Sequence, residues 1–302
     1  MKERHRSRTA EAAAAARARH LLREEPIVFD DPFAIQLSSR PWRIICKNRF
    51  LDWLVFRQLL RELHPIEAQI LARSRYAEDQ LEKSIAAGTN QYVIVGAGLD
   101  SFALRHREHA TTLKIYELDH PASQGSKKGR LARLGIDLPA NLELIPVDFE
   151  KENVADALAR SSYTRDQPAF YSWLGTIHYL SRDAIFRTLV SIASFAAARS
   201  EIVFDYGIPR ESVDPADLPV RDALDRFAAR RGEPLVTSFD PMTFPREVCD
   251  LGFELLENLS VQEQEARYFR EREDGMKPTP SSYFAHFRVL GQKSEDSCSG
   301  GL

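Results

Sequence analysis

The residues best equipped for chemistry in this chain fall in a few short stretches: Gly96-Ala97-Gly98, Asp119-His120, Asp148-Phe149 and His178-Tyr179. Two glycines one residue apart let a backbone turn sharply and let a ligand come close. An acid twenty-one residues past the second glycine is placed to accept hydrogen bonds from ribose hydroxyls. An acid followed by an aromatic, as in Asp148-Phe149, can bond an adenine amino group and stack on its ring. Histidine is the side chain type whose charge changes near physiological pH, which makes His178 a candidate general base. Tyr179 and Tyr206 join it as candidate catalytic residues. On an earlier helix Arg73 and Arg75 carry guanidinium groups, which grip a carboxylate with two parallel bonds.

Each of these residues also has a plainer role open to it. Asp119 can end a strand or cap a helix, and Asp148 can cap a helix beginning near Glu150. Arg73 and Arg75 can pair at the surface with Glu78, Asp79 and Glu82, and His178 can serve packing alone.

The elements around these residues narrow the choice. Tyr92 to Val95 is a continuous apolar run, β-branched at three of four places, as expected of a strand buried on both faces. It stops at the glycine turn, and a second run, Lys114 to Leu118, ends at Asp119. The third glycine of the dinucleotide fingerprint is replaced by Ser101. That glycine lets the helix pack close beside a pyrophosphate, so its loss points to a nucleoside without phosphates. S-adenosylmethionine (SAM) is the commonest such ligand.

Further strands follow at Leu142–Val147, Ala169–Trp173 and Glu201–Tyr206. Ligands of open α/β sheets lie beyond the carboxyl ends of the strands, which is where His178 and Tyr179 fall. Ser181 is the expected cap of the amphipathic helix after them. The alternation of strand and helix breaks at Gly207. Residues 208–245, rich in Pro, Asp and Arg with one helix over Val220–Arg231, are placed to cross the pocket as a lid. Two more strands, Phe253–Leu259 and Tyr283–Leu290, read as a closing hairpin, the second at the sheet edge.

Ahead of the sheet the chain reads as all helix. Thr9 to Arg23 is alanine-rich, which predicts a solvated helix or a flap over the ligand mouth. Asp31-Pro32 starts a helix, and Phe50 to Leu63 is apolar enough to be well buried. Pro65 opens another helix, which Gly88 ends. The expected organisation is a helical cap over 1–88, a binding domain over 89–293 with its lid at 208–245, and a disordered tail at 294–302.

Composition bounds the function. Apolar residues at 43% and charged residues at 28% suit a globular enzyme, and a net charge of −3 gives no drive toward nucleic acid. Cys46, Cys249 and Cys298 are far apart, without the spacing of metal ligands, and no metal site is expected. Odd, scattered cysteines and the lack of an apolar leader or membrane-length run predict a cytoplasmic protein with no membrane partner. Oligomeric state is left open.

The motifs VGAGLDSFALR, YELDHP, PVDFE, FYSWLGTIHYL and IVFDYG, in this order, resemble the leucine carboxyl methyltransferase-like family of class I SAM-dependent O-methyltransferases. The resemblance covers roughly Thr9 to Lys293. It implies an α/β, Rossmann-like fold: a seven-stranded, mostly parallel sheet with helices on both faces, order 3-2-1-4-5-7-6 and strand seven antiparallel. It implies that Arg73 grips the methionine carboxylate of SAM and that Gly96, Ala97 and Gly98 line the turn beneath it. Asp119, with His120 beside it, would meet the ribose, and Asp148-Phe149 would flank the adenine. Leu174 stands where many members carry an acid, so a backbone carbonyl there must meet the SAM amino group or the contact is lost.

SWLGxxxYL is similar to bacterial small-molecule enzymes, including those that tailor aromatic polyketides. The function implied is methyl transfer to a carboxylate or hydroxyl oxygen of a small molecule, with S-adenosylhomocysteine as product. Methylation of a protein C-terminus, a dehydrogenase and a non-catalytic SAM-binding protein are the alternatives.

Overall fold

The computed structural model describes residues 8–59, 64–149, 151–230 and 234–291. The expected tail at 294–302 lies outside them. Five strands run parallel: β1 (Gln91–Val95), β2 (Lys114–Asp119), β3 (Leu142–Pro146), β4 (Phe170–Trp173) and β5 (Glu201–Gly207). Two more, β6 (Phe253–Leu259) and β7 (Ser282–Val289), pair antiparallel, β7 also with β5. The order is β3-β2-β1-β4-β5-β7-β6, as the family resemblance implies.

Helices α1 (Arg8–Arg23), α2 (Ala34–Leu37), α3 (Arg40–Lys47), α4 (Arg49–Asp52) and α5 (His64–Ala86) precede the sheet. Between its strands come α6 (Phe102–Arg105), α7 (Pro121–Arg133), α8 (Val154–Ala159) and α9 (Arg182–Phe195). After β5 come α10 (Leu218–Arg230) and α11 (Phe244–Cys249), and α12 (Val261–Tyr268) follows β6.

Both sheet faces are covered, which is why the central strands are apolar at successive positions. Tyr92, Ile94, Phe170 and Val203 pack with Leu71, Ala72 and Tyr76 of α5. Val93, Val95, Tyr171, Phe204 and Tyr206 point the other way and pack with Leu158 of α8 and Ile185 and Leu189 of α9. Ser181 caps α9 as expected, accepting from the Ala184 amide.

Several local expectations change. Helix α1 is not a solvated helix: Ala14, Ala15, Ala16 and Ala18 are buried. Alanine's small side chain gives little apolar area but lets a helix axis approach its neighbours closely. The stretch from Phe50 is less enclosed than its apolar content suggests. Phe50 is 65% exposed, Trp53 49% and Leu59 69%, and α4 passes into a π-helical run over Trp53–Leu59. Residues 60–63 of that expected helix lie outside the described residues.

The link between β6 and β7 carries α12 and is no tight hairpin, and β7 lies inside the sheet between β5 and β6. The helix after Asp148 begins at Val154, and the cap is Asn153, whose side chain accepts from the Asp156 amide.

Candidate functional site

The carboxyl end of β1 turns at once. Gly96 has φ +73° and Gly98 φ +54°, both in the left-handed region that favours glycine. The Gly96 and Ala97 amides donate to the Leu118 carbonyl at 2.8 and 3.2 Å, and the Gly98 amide donates to the Asp119 carboxylate. Three successive amides are therefore committed to the end of β2. In a dinucleotide site such amides face a pyrophosphate, so this turn suits a ligand without phosphates.

From the other side α1 closes on the turn. Ala10 Cβ would meet a Gly98 side chain at 3.1 Å, and Arg17 donates to the Leu99 carbonyl at 2.8 Å and to Asp31 at 2.8 Å. Asp119 also accepts from the His120 amide at 2.6 Å. Burial pushes the Asp119 carboxyl up, and the Gly98 and His120 amides partly oppose it. The His120 imidazole is occupied as the cap of α7, accepting from the Ala122 amide.

The end of β4 meets α5 and β5 at a second junction. Gly175 has φ +67°, and a Cβ there would lie 2.6 Å from Cζ of Arg73. The Arg73 guanidinium thus fills the slot that glycine leaves open. Its Nη1 donates to Asp205 Oδ2 at 3.1 Å, and the Gly175 amide donates to Asp205 Oδ1 at 2.6 Å. His178 Nε2 lies 3.2 Å from the same Oδ2. Asp205 is fully buried. Burial opposes its charge, but Arg73 first, then His178 and the Gly175 amide, hold its carboxyl well below the usual carboxylate range. The Arg73 and His178 side chains each keep 14% of their surface exposed, so the carboxylate is enclosed while its two partners reach an opening.

Thr176 joins the two junctions. A Cβ on Gly96 would meet Thr176 Cγ2 at 2.9 Å. The Thr176 hydroxyl is buried without a hydrogen-bond partner among the described residues.

The structure therefore brings Arg73, Gly175, Thr176, His178 and Asp205 together, and joins Asp119 to Gly98. Arg73, not Arg75, faces the site: Arg75 pairs with Asp79 at 2.7 Å on the outside of α5. Asp148 is half-buried and pairs with Lys151 at 2.9 Å, and Phe149 packs on the α8–α9 side of the core. Leu174 is half-buried against the α5 side. The Tyr179 ring meets the His178 ring edge-on at 6.4 Å between centroids.

Tyr206 is placed elsewhere. Alternation along β5 turns it away from Asp205 into the opposite layer, where it packs on Phe244 at 4.9 Å and its hydroxyl donates to Asn258 at 2.9 Å. Burial pushes its phenol pKa up, further from use as a base. Asp205 and Gly175 did not stand out in the sequence. A signal for the first was present: an acid inside the apolar strand EIVFDY must find buried partners.

A seven-stranded sheet of this order, with its polar groups at the carboxyl ends of β1, β2, β4 and β5, defines a class I methyltransferase fold. The chain belongs to the leucine carboxyl methyltransferase family, whose pattern matches residues 10–193. Similar proteins agree. A Bacillus subtilis protein, YktD, provisionally named a SAM-dependent methyltransferase, is 29% identical over 301 residues, covering 95% of this chain and 99% of its own. A Mycobacterium tuberculosis protein of the same provisional name is 29% identical over 224 residues, 73% of this chain and 66% of its own.

A Thermobifida fusca crystal structure, provisionally titled a methyltransferase, has the same fold with a TM-score of 0.59 at 16% identity, over 92% of this chain and 94% of its own. The protein is thus a SAM-dependent methyltransferase. The residues present fit that group: the unpartnered Thr176 hydroxyl and the partly exposed Arg73 guanidinium lie at this junction. Among the described residues no helix is long and apolar enough to cross a membrane.

Proposed function

We propose that this enzyme transfers the SAM methyl group to an oxygen of a small molecule, a carboxylate or a hydroxyl, with polyketide-type natural products among the acceptors. The observation that carries the proposal is the Arg73–Asp205–His178 junction, which puts a cation able to bind a carboxylate beside a titratable imidazole. In this assignment Arg73 holds the methionine carboxylate, and the Gly96–Gly98 turn and Leu174 line the path of the cofactor. Asp119 binds the ribose, with His120 fixing the start of α7, and Asp148 and Phe149 flank the adenine. His178 and Tyr179 border the acceptor. SAM supplies an already activated methyl group. The protein's part is to align the acceptor oxygen with it and to keep water away.

Residues 208–245 act as the lid in this proposal, and the helices of 1–88 as a cap, with residues 231–233 of the former outside the described residues. The return leg of the lid is tied to the site: the Val236 amide donates to the His178 carbonyl at 2.8 Å, and the Phe239 amide to the Gly207 carbonyl at 2.8 Å. The free thiols of Cys46 and Cys249 support a reducing, cytoplasmic setting.

Calorimetry is expected to show SAM and S-adenosylhomocysteine binding, with NAD and NADP silent. Replacing residues 212–240 by a short linker is expected to keep S-adenosylhomocysteine binding and abolish turnover. Tight NAD binding would overturn the cofactor assignment, and normal turnover in the shortened chain would overturn the lid.

A further inference from the structure

One buried carboxylate serves both halves of the reaction centre, and the way it does so bears on the acceptor. Asp205 Oδ2 receives Arg73 Nη1 at 3.1 Å and lies 3.2 Å from His178 Nε2, while Oδ1 receives the Gly175 amide at 2.6 Å. An ionised carboxylate only accepts hydrogen bonds, so the nitrogen it faces must carry the proton. That fixes neutral His178 as the Nε2–H tautomer, with a basic lone pair on Nδ1.

The surroundings of Nδ1 agree. A Cβ on Gly207 would lie 3.3 Å from His178 Nδ1, tighter than an ordinary contact. Gly207 is not held in the left-handed region, so what its missing side chain supplies is space beside that nitrogen. The Val236 amide, bonded to the His178 carbonyl at 2.8 Å, anchors the backbone that carries the imidazole.

We infer that His178, oriented by Asp205, is the general base for a neutral hydroxyl acceptor, so that the molecule methylated is a phenol or enol rather than a carboxylic acid. A carboxylate is already ionised at neutral pH and needs no base, whereas a phenol near pKa 10 does. The acceptor hydroxyl gives its proton to His178 Nδ1 as its oxygen attacks the methyl carbon. The new C–O bond forms while the S–C bond breaks, and the bonding pair leaves on sulfur. The resulting imidazolium is stabilised by Asp205 and later releases its proton to water. Asp205 is a positioning residue in this scheme, since it acts through His178 and Arg73. This assignment rests on the methyl-transfer proposal above and narrows it to one acceptor class.

Two measurements test it. The first needs no acceptor: ¹⁵N NMR of histidine-labelled, ligand-free protein is expected to show His178 as the Nε2–H tautomer. In Asp205→Asn, whose amide can donate, that preference is expected to be lost. A neutral His178 protonated on Nδ1, or a tautomer indifferent to Asp205→Asn, overturns the inference. Should Asp205→Asn fail to fold, the wild-type spectrum still decides.

The second follows tritium from methyl-labelled SAM into a small-molecule extract of the cells that make the protein, with 2-naphthol and 2-naphthoic acid as matched probes. The expected label is alkali-stable, as an ether is. His178→Ala is expected to lower kcat by about 10²–10⁴-fold at saturating SAM, with little change in its KM. In the His178→Ala background, adding Asp205→Asn is expected to lower kcat far less than it does in the wild type. Label released by alkali as methanol, label in neither class although SAM binds, or an unimpaired kcat in His178→Ala overturns the inference. If calorimetry shows no SAM binding at all, it is the methyl-transfer proposal that falls.

Discussion

Arg73 and Arg19 both sit among carboxylates, and their charge balances are opposite. Arg73 faces one acid, Asp205, which it shares with His178. Arg19 in α1 faces three: Glu24 at 2.5 Å, Glu67 at 2.8 Å and Asp52 at 3.0 Å. His20 and Arg272 add to that cluster through Glu24. In the first region a guanidinium, an imidazole and a backbone amide surround one carboxylate, and Asp205 stays charged despite full burial. In the second, acids crowd one guanidinium, and burial pushes the Glu67 carboxyl up to about 7 against the pull of Arg19. The Asp205 arrangement leaves its guanidinium and imidazole partners partly exposed. The Arg19 arrangement is closed, with both Arg19 and Glu67 buried, and ties α1 to α5 and to the segment after α12. Where the charge is enclosed and where it opens separates architecture from site.

The strongest test of the contrast removes each guanidinium. Arg73→Met leaves Asp205 buried with only His178 to balance it. We expect a stability loss of about 3–5 kcal/mol and a fall in S-adenosylhomocysteine affinity of about 100-fold or more. Arg19→Met is expected to cost a similar ~3–5 kcal/mol in stability. Its affinity, measured well below the melting temperature, is expected to stay near wild type. Equal losses of affinity in the two variants would erase the distinction.

Asp119 lies between these extremes: burial raises its pKa, while two backbone amides favour its charge. Asp119→Ala is expected to weaken S-adenosylhomocysteine binding by about 1.5–3 kcal/mol, the usual worth of hydrogen bonds to a charged group. Melting temperature is expected to change less than affinity does. Unchanged affinity in calorimetry would remove Asp119 from the ribose contact.

The two clusters also respond to pH with opposite signs. The Glu67 carboxyl titrates near 4.5 when unfolded and about 7 when folded, so between those values the folded chain binds the extra proton. Stability from this group is therefore present at low pH and lost as pH rises toward 7. Asp205, whose folded pKa is depressed, contributes stability above its unfolded value of 3.8 and loses it in acid. Glu67→Gln removes the first titration and is expected to gain about 2–3 kcal/mol on wild type between pH 5 and pH 8. Urea unfolding at the two pH values measures it. A difference that does not grow with pH would show that Glu67 is ionised throughout.

Much of this arrangement is legible in the residues. The glycine turn, Asp119 at the tip of β2 and the cap at Ser181 follow from local signals that the folded chain keeps, and the sheet order follows from the family resemblance. What failed depends on distant neighbours. The alanines of α1 carry too little apolar area to announce burial, yet the glycine turn receives Ala10. Phe50 and Trp53 look like core by type, but nothing among the described residues covers their exposed faces. Tyr206 and Asp205 are adjacent, and only the pleat of β5 decides that the acid, not the phenol, faces α5.

The smallest expected effect draws the same line within one helix. Arg75 is two residues from Arg73 on α5 and has the same charge and reach. Its side chain is half exposed, and its partner Asp79 sits one turn along, so water competes for both groups. An exposed i,i+4 pair of this kind is worth about 0.3–0.5 kcal/mol. Arg75→Ala is therefore expected to lower stability by no more than that, to lose most of the effect in high salt, and to leave S-adenosylhomocysteine affinity unchanged. Isothermal calorimetry and denaturant melts of Arg75→Ala beside Arg73→Met measure both quantities. A tenfold loss of affinity on removing Arg75 would mean that the carboxylate clamp is spread over two turns of α5 and is not set by the slot at Gly175.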